Sequence, residues 1–139
     1  MNITKLLLTT LFIFYSCLLG IGQYSGKKLK DKANLYFKND KYFEALHLYK
    51  KYDKIKSKDR EVKLRLGICY YFNNEIDRSI DYLSAIVSNN KKPKALPYFY
   101  LGCAYHSKKE FKKAIENYKL YLKFSSTNDS NRSAVKDEI

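Results

Sequence analysis

Few residues of this chain are placed to do chemistry. His47 and His106 are the two imidazoles, and no Ser-His-acid set or carboxylate pair falls at a spacing that shares one helical face. The three cysteines are Cys17, Cys69 and Cys103. Cys103 and His106 stand three residues apart, so on a helix they point the same way, and with Cys69 they could form a Cys-Cys-His metal site. A structural metal wants a fourth ligand, and none is evident. Two other readings compete for the same thiols: small buried side chains, or a disulfide in an oxidising compartment. Gly67 and Gly102 lie inside apolar periodic stretches and not in turns ahead of helices, so they form no phosphate loop. The expectation is a protein that is not an enzyme, with no metal and no cofactor.

The elements that hold these residues are helical. A length of 139 residues with 45% hydrophobic content allows one packed domain. With 14 Tyr and 8 Phe against only 5 Gly and 2 Pro, large side chains abound and chain breakers are scarce. That balance suits long helices joined by short turns, whereas a sheet protein needs more turn residues. The net charge of +13 would draw the surface to anionic partners: nucleic acid, phospholipid headgroups or an acidic protein face. The excess is lysine scattered through helices, so a merely solvated surface is the plainer reading.

The N-terminal segment is built differently. Residues 1–5 carry the amine and one lysine, and residues 6–19 are apolar apart from Thr and Ser. Gly20-Ile21-Gly22 then sets small residues before Gln23, so residues 1–22 read as a secretory signal peptide. The expected localisation is export to the periplasm or cell envelope. Anchoring by residues 6–22 is the alternative, since that run is just long enough to span a bilayer. Lys27, Lys28, Lys30 and Lys32 close behind it favour the cytoplasmic side. Membrane association is expected only if the segment stays uncleaved. Cys17 lacks the small-residue context of a lipid-attachment site.

Beyond residue 25 the chain repeats itself. Ala33, Gly67 and Gly102 lie 34 and 35 residues apart. In the same register come Tyr36, Tyr70 and Tyr105, then Ala45, Ser79 and Ala114. Tyr49, Leu83 and Tyr118 follow, then Tyr52, Ile86 and Tyr121. A small residue late in one helix facing a small residue early in the next lets two backbones approach, and the large residues fill the flanks. One such pair cannot bury its apolar face alone, so the pairs must stack. The spacing predicts helices over 25–38 and 41–55, 60–73 and 76–89, and 94–107 and 110–124. The extra residue of the longer interval falls within 91–94. A polar break then precedes a last short helix from near Ser130, with Ala134, Val135 and Ile139 spaced to lie against the third pair.

These residues resemble the tetratricopeptide repeat family. Repeat three carries Leu101-Gly102-x-x-Tyr105, Phe111, Ala114, Tyr118 and Tyr121. Repeat two runs Leu66-Gly67-x-x-Tyr70 with Ser79 for the usual alanine. Repeat one has Ala33 for glycine and Lys32 where leucine is expected. The inter-repeat proline occurs once, as Pro93. The resemblance implies an all-α solenoid of three helix-turn-helix pairs, about 26–59, 60–93 and 95–128 within 23–128, closed by a capping helix over 129–139. The order of segments is also similar to the N-terminal part of OmpA-like envelope proteins, some of type IX secretion, in which a β-propeller and a peptidoglycan-binding domain follow. Neither domain is in this sequence, so cell-wall binding is not implied, and the chain is expected to be a shortened relative or a fragment of such a protein.

In tetratricopeptide proteins the first helix of each pair lines a concave binding face. Here that implies Lys30, Asn34, Phe37 and Lys38 from repeat one, Arg65, Ile68, Tyr71 and Phe72 from repeat two, and Phe99, Tyr100, Cys103 and His106 from repeat three. The expected surface is an aromatic floor with a basic rim at the repeat-one end. Lys30 and Asn34 match two positions of the clamp by which some relatives grip a peptide carboxylate, while Leu96 and Tyr100 replace its later basic residues. Some of these aromatic rings are equally expected to pack between repeats. The function expected is a non-catalytic protein-interaction scaffold of the envelope, binding a protein or peptide of unknown identity, acidic in character. The alternatives are a structural module of a larger envelope protein and an anion binder such as a nucleic-acid binder. No small-molecule substrate is expected.

Overall fold

The computed structural model describes residues 26–88 and 94–139, and among these it is helical with no strand. Helix α1 occupies 26–38, followed by α2 (Tyr42–Ile55), α3 (Arg60–Phe72), α4 (Ile76–Ser88), α5 (Ala95–Ser107), α6 (Phe111–Phe124) and α7 (Arg132–Asp137). Each helix from α2 to α7 packs on the next, and α3 also touches α5, which is the connectivity of stacked helix pairs. The six expected repeat helices are present with ends within two residues of those read from the spacing. The reading of residues 1–22 lies outside the described residues, as does all but residue 94 of the 91–94 stretch expected to hold the extra residue.

The repeat extends to the backbone of the turns. Asp40, Asn74 and Lys109 adopt left-handed backbone with φ of 56°, 61° and 60°. They occupy one register position, just past the first helix of each pair. In each copy the next amide reaches back to the carbonyl of the repeat tyrosine: Lys41 to Tyr36, Glu75 to Tyr70 and Glu110 to Tyr105, all at 2.9 Å. The left-handed residue itself donates to the carbonyl of Phe37, Tyr71 or His106. This six-to-one plus five-to-two pattern satisfies the orphan carbonyls of the helix end and turns the chain back within three residues.

The repeat positions form the core. All fifteen are buried except Tyr36 and Tyr105, which are half-buried. Glycine is required at two of them by space and not by φ. A Cβ at Gly67 would stand 2.8 Å from Leu83 Cγ, and one at Gly102 would enter the Tyr118 ring. Interiors packed to crystal density have no slack for such atoms. Ser79 fits the alanine position by size, but its buried hydroxyl has no hydrogen-bond partner.

The cap is held mainly by polar contacts. Tyr121, fully buried, donates its hydroxyl to Asp129, whose carboxylate also takes the Asn131 amide at 3.1 Å. Arg132 Nη1 donates to the Leu122 carbonyl at 2.7 Å, tying α7 to the end of α6. Val135 is buried beside Ala114, Tyr118 and Tyr121 as expected. Ala134 and Ile139 are not: both are exposed. Ala134 is rotated about 100° from Val135 on the helix, and Ile139 lies beyond the end of α7.

Candidate functional site

The first helices of the three pairs, α1, α3 and α5, form one layer, and the expected binding residues divide there into two chemically distinct ends. At the α1–α3 end the side chains are tied to one another. Lys30 Nζ donates to Asp59 at 2.9 Å and Glu61 at 3.1 Å. Arg65 donates to Glu61 at 2.7 Å, to Asn34 Oδ1 at 3.1 Å and to the Tyr49 hydroxyl at 3.2 Å. Tyr49 donates in turn to Asn34 Oδ1 at 2.7 Å. The Arg65 guanidinium also lies over the Phe37 ring, 5.2 Å from its centre.

Asp59 anchors this network. As N-cap of α3 it accepts the Val62 amide at 3.2 Å, and it takes the Tyr52 hydroxyl at 3.0 Å. Burial alone would raise its pKa, but the bonds from Lys30, Val62 and Tyr52 outweigh that and hold it below the ordinary carboxylate value. Glu61 is lowered, chiefly by its bond from Lys30, and Lys30 is raised, chiefly by its bond to Asp59. Burial pushes Tyr49 up to about 12 against the pull of Arg65. Of the basic rim expected at the repeat-one end, Lys30 is thus neutralised within the fold, as is Arg65 beside it. Asp59 and Glu61 take the Lys30 ammonium that a peptide carboxylate would need, while Asn34 Oδ1 accepts from Tyr49 and Arg65. Lys38 is exposed beyond the network.

The α3–α5 end is a run of rings. Phe72 stacks on Tyr42 of α2 with centres 4.1 Å apart and planes 9° from parallel. Tyr71 and Phe72 both meet Tyr100 edge-on, at 5.9 and 6.0 Å. Tyr100 continues to Phe99 at 5.1 Å, and Phe99 to Tyr121 at 5.3 Å. Phe72 keeps 47% of its surface exposed, and Tyr71, Phe99 and Tyr100 are partly open. Burial raises Tyr100 to about 12, so its hydroxyl stays neutral.

Two expected site residues fall elsewhere. Ile68 is 2% exposed, so it belongs to the core and not to a lining. Its α3 position closes against neighbouring helices where Asn34 and Cys103, in the same register, stay partly open. His106 is drawn to the cap: its Nδ1 lies 3.1 Å from Glu138, and its ring meets Phe111 edge-on at 5.4 Å. Cys69 is fully buried with its thiol pushed up to about 12 by burial. Cys103 is partly open and accepts the Tyr118 hydroxyl at 3.7 Å. Both thiols are free, and no group of three metal-ligating side chains is gathered among the described residues.

Sequence reasoning missed Tyr42 and Asp59. Tyr42 opens the second helix of its pair, a helix assigned to the opposite layer. Asp59 carried a readable signal, since an acid directly before an apolar periodic stretch is an N-cap signature.

Solved structures with this arrangement include tetratricopeptide domains. The first such domain of Spaghetti (RPAP3), bound to the HSP90 peptide SRMEEVD, aligns with a TM-score of 0.68 at 20% identity, over 81% of this chain and 89% of that one. The Arabidopsis OM64 tetratricopeptide domain aligns at 0.71 and 14% identity, over 84% and 94%. Among curated proteins, the BBSome complex member BBS4 of Bos taurus is 33% identical over 100 residues, 72% of this chain and 19% of that protein. The Mus musculus counterpart is 29% identical over 119 residues, 86% and 22%. The chain spans about a fifth of the length of these relatives. No family model matches it. In fold and repeat register the chain is a tetratricopeptide-type α-solenoid, resembling that family of repeat proteins.

Proposed function

We propose that the chain is a non-catalytic protein-interaction scaffold that grips a segment of another protein on the rings of α3 and α5. The observation that carries this is the continuous set Phe72, Tyr71, Tyr100 and Phe99, joined ring to ring yet left partly open. Aromatic anchors of this kind usually supply most of an interface's affinity. The likeness to a domain solved with a bound peptide supports a peptide-like partner. Since Lys30 is paired internally with Asp59 and Glu61, the partner is recognised by apolar side chains set among acidic ones, and not by a terminal carboxylate at that clamp. The net charge of +13 favours the acidic character.

The test is selection of a displayed peptide library on the full chain, followed by titration of the selected peptides. Tyr71→Ala and Tyr100→Ala, each checked for folding by circular dichroism, should each weaken binding by about 2 kcal/mol or more. Lys38→Ala should cost less, with an effect that shrinks as salt is added. Unchanged binding by a folded double variant would remove the site from this face.

A second reading, a structural part of a larger assembly, is supported by the likeness to a protein that is itself a complex member. The layout of residues 1–22 supports export to the envelope, with anchoring by residues 6–22 as the alternative. Mass spectrometry of protein from its native host checks this: a start at Gln23 is expected, and an intact Met1 on soluble protein would overturn both.

A further inference from the structure

Outside the aromatic face, one corner of the molecule gathers charge without neutralising it. It is where α1 begins and where α2 turns into α3. The start of α1 packs here: Gly26 lies beside Tyr52 and Ile55. Lys27 and Lys28 follow directly, and Lys54, Lys56 and Lys58 rise from the facing turn, all five exposed. None of the five forms an ion pair among the described residues. Of the nearby acids, Asp59 is engaged with Lys30, Tyr52 and the Val62 amide, and Glu61 with Lys30 and Arg65, which leaves Asp31 as the exposed carboxylate on α1 against the five lysines. Asp53 is half-buried at the end of α2. In the middle of the lysines Ile55 is 47% exposed, and a cleft of about 530 Å³ runs between Tyr52, Ile55, Lys56 and Lys58.

We infer that this corner docks on an anionic lipid surface, the lysines meeting headgroup phosphates and Ile55 entering the interface. The position of the chain's apolar run favours a bilayer over other polyanions. In the uncleaved chain residues 6–19 lie just ahead of Gly26 in sequence, so the docking rests on the anchored reading, in which the segment that can enter a membrane precedes this corner. A polybasic patch beside an apolar segment is a two-signal arrangement for membrane binding, each lysine near the surface adding attraction that salt screens. Docking here leaves the aromatic face of α3 and α5 free, and it does not depend on that face binding anything.

The experiment is co-sedimentation of the full chain with vesicles of phosphatidylcholine alone and of phosphatidylcholine doped with phosphatidylglycerol. Plain vesicles report the apolar run, and the difference between the two reports the lysines. Lys54→Glu, Lys56→Glu and Lys58→Glu together should reduce that difference at least about tenfold. The same charge change made far away, at Lys112, Lys119 and Lys136, should alter it by less than about threefold, since screened charges act over roughly 10 Å. Tyr100→Ala should bind vesicles as the unaltered chain does. Equal losses from the two triple variants would mean diffuse attraction and overturn the site. So would binding that ignores phosphatidylglycerol, or a single-stranded oligonucleotide that displaces the vesicles and needs the same three lysines.

Discussion

The two ends of the α1–α3–α5 layer use the same repeat positions for opposite purposes. Lys30 and Phe99 share one register position, Arg65 and Tyr100 another, and Phe37 and Tyr71 a third. At the first end these positions build an ion network that satisfies itself, with Asp59 and Glu61 answering Lys30 and Arg65. At the second they build rings that touch each other and still leave surface open, Phe72 most of all. A repeat backbone thus fixes where side chains stand and leaves their chemistry free. The polar end is closed because its groups are mutually paired, and the aromatic end is the proposed binding surface because apolar area is left uncovered.

The largest effect should come from breaking the frame that both ends share. Gly102→Leu would force a side chain into the Tyr118 ring under the aromatic end, and should lower stability by about 3 kcal/mol or more. Urea unfolding measures this against the surface change Lys112→Ala, expected within about 0.5 kcal/mol of the unaltered chain. Matching midpoints for the two would show that the helices do not meet at the small residues.

Next in size is an attack on the polar end alone. Asp59→Ala removes a helix cap and the partner of Lys30 and Tyr52, for a loss of about 2 kcal/mol. The pH dependence has a defined sign. The folded pKa of Asp59 is held below its ordinary 3.8 and that of Glu61 below 4.5. Their stabilisation is therefore present above those ordinary values and disappears as pH falls through the lowered ones. Lys30 is raised from 10.5, so its share is present below that value and disappears as pH rises through the raised one. Thermal melts on the acid side should fall less steeply for Asp59→Ala than for the unaltered chain. Parallel acid limbs would assign the loss to other carboxylates.

Between the two ends, Ser79→Ala should stabilise by about 1 kcal/mol, because it removes a buried hydroxyl that has no partner and keeps the small size the position needs. A lower melting temperature would reveal a bond that the hydroxyl makes. The smallest effect is expected in the turns, where Lys109→Gly should add about 0.5 kcal/mol by relieving a left-handed lysine. Asn74→Gly, at the same place in repeat two, should change less, since asparagine tolerates that backbone. Comparing the two melts separates backbone relief from loss of the side chain.

The sequence by itself determined the helix pairs, their register and the core. Ala33, Gly67 and Gly102 and the large residues around them follow a period that has one physical solution, close helices stacked in series. The Tyr71–Phe72 and Phe99–Tyr100 pairs could be placed on one layer for the same reason. The fate of the charges was not legible. Lys30 and Asn34 match a carboxylate clamp by spacing, yet Lys30 meets Asp59 and Glu61, 29 and 31 residues further along the chain. Nor could spacing tell that Ile68 would be enclosed, that His106 would turn to Glu138, or that Tyr42 would cross from its own helix to stack on Phe72. Periodicity says which face of a helix a residue occupies. Which group it meets there is decided by a few ångströms between separate helices, and only their packing sets that distance.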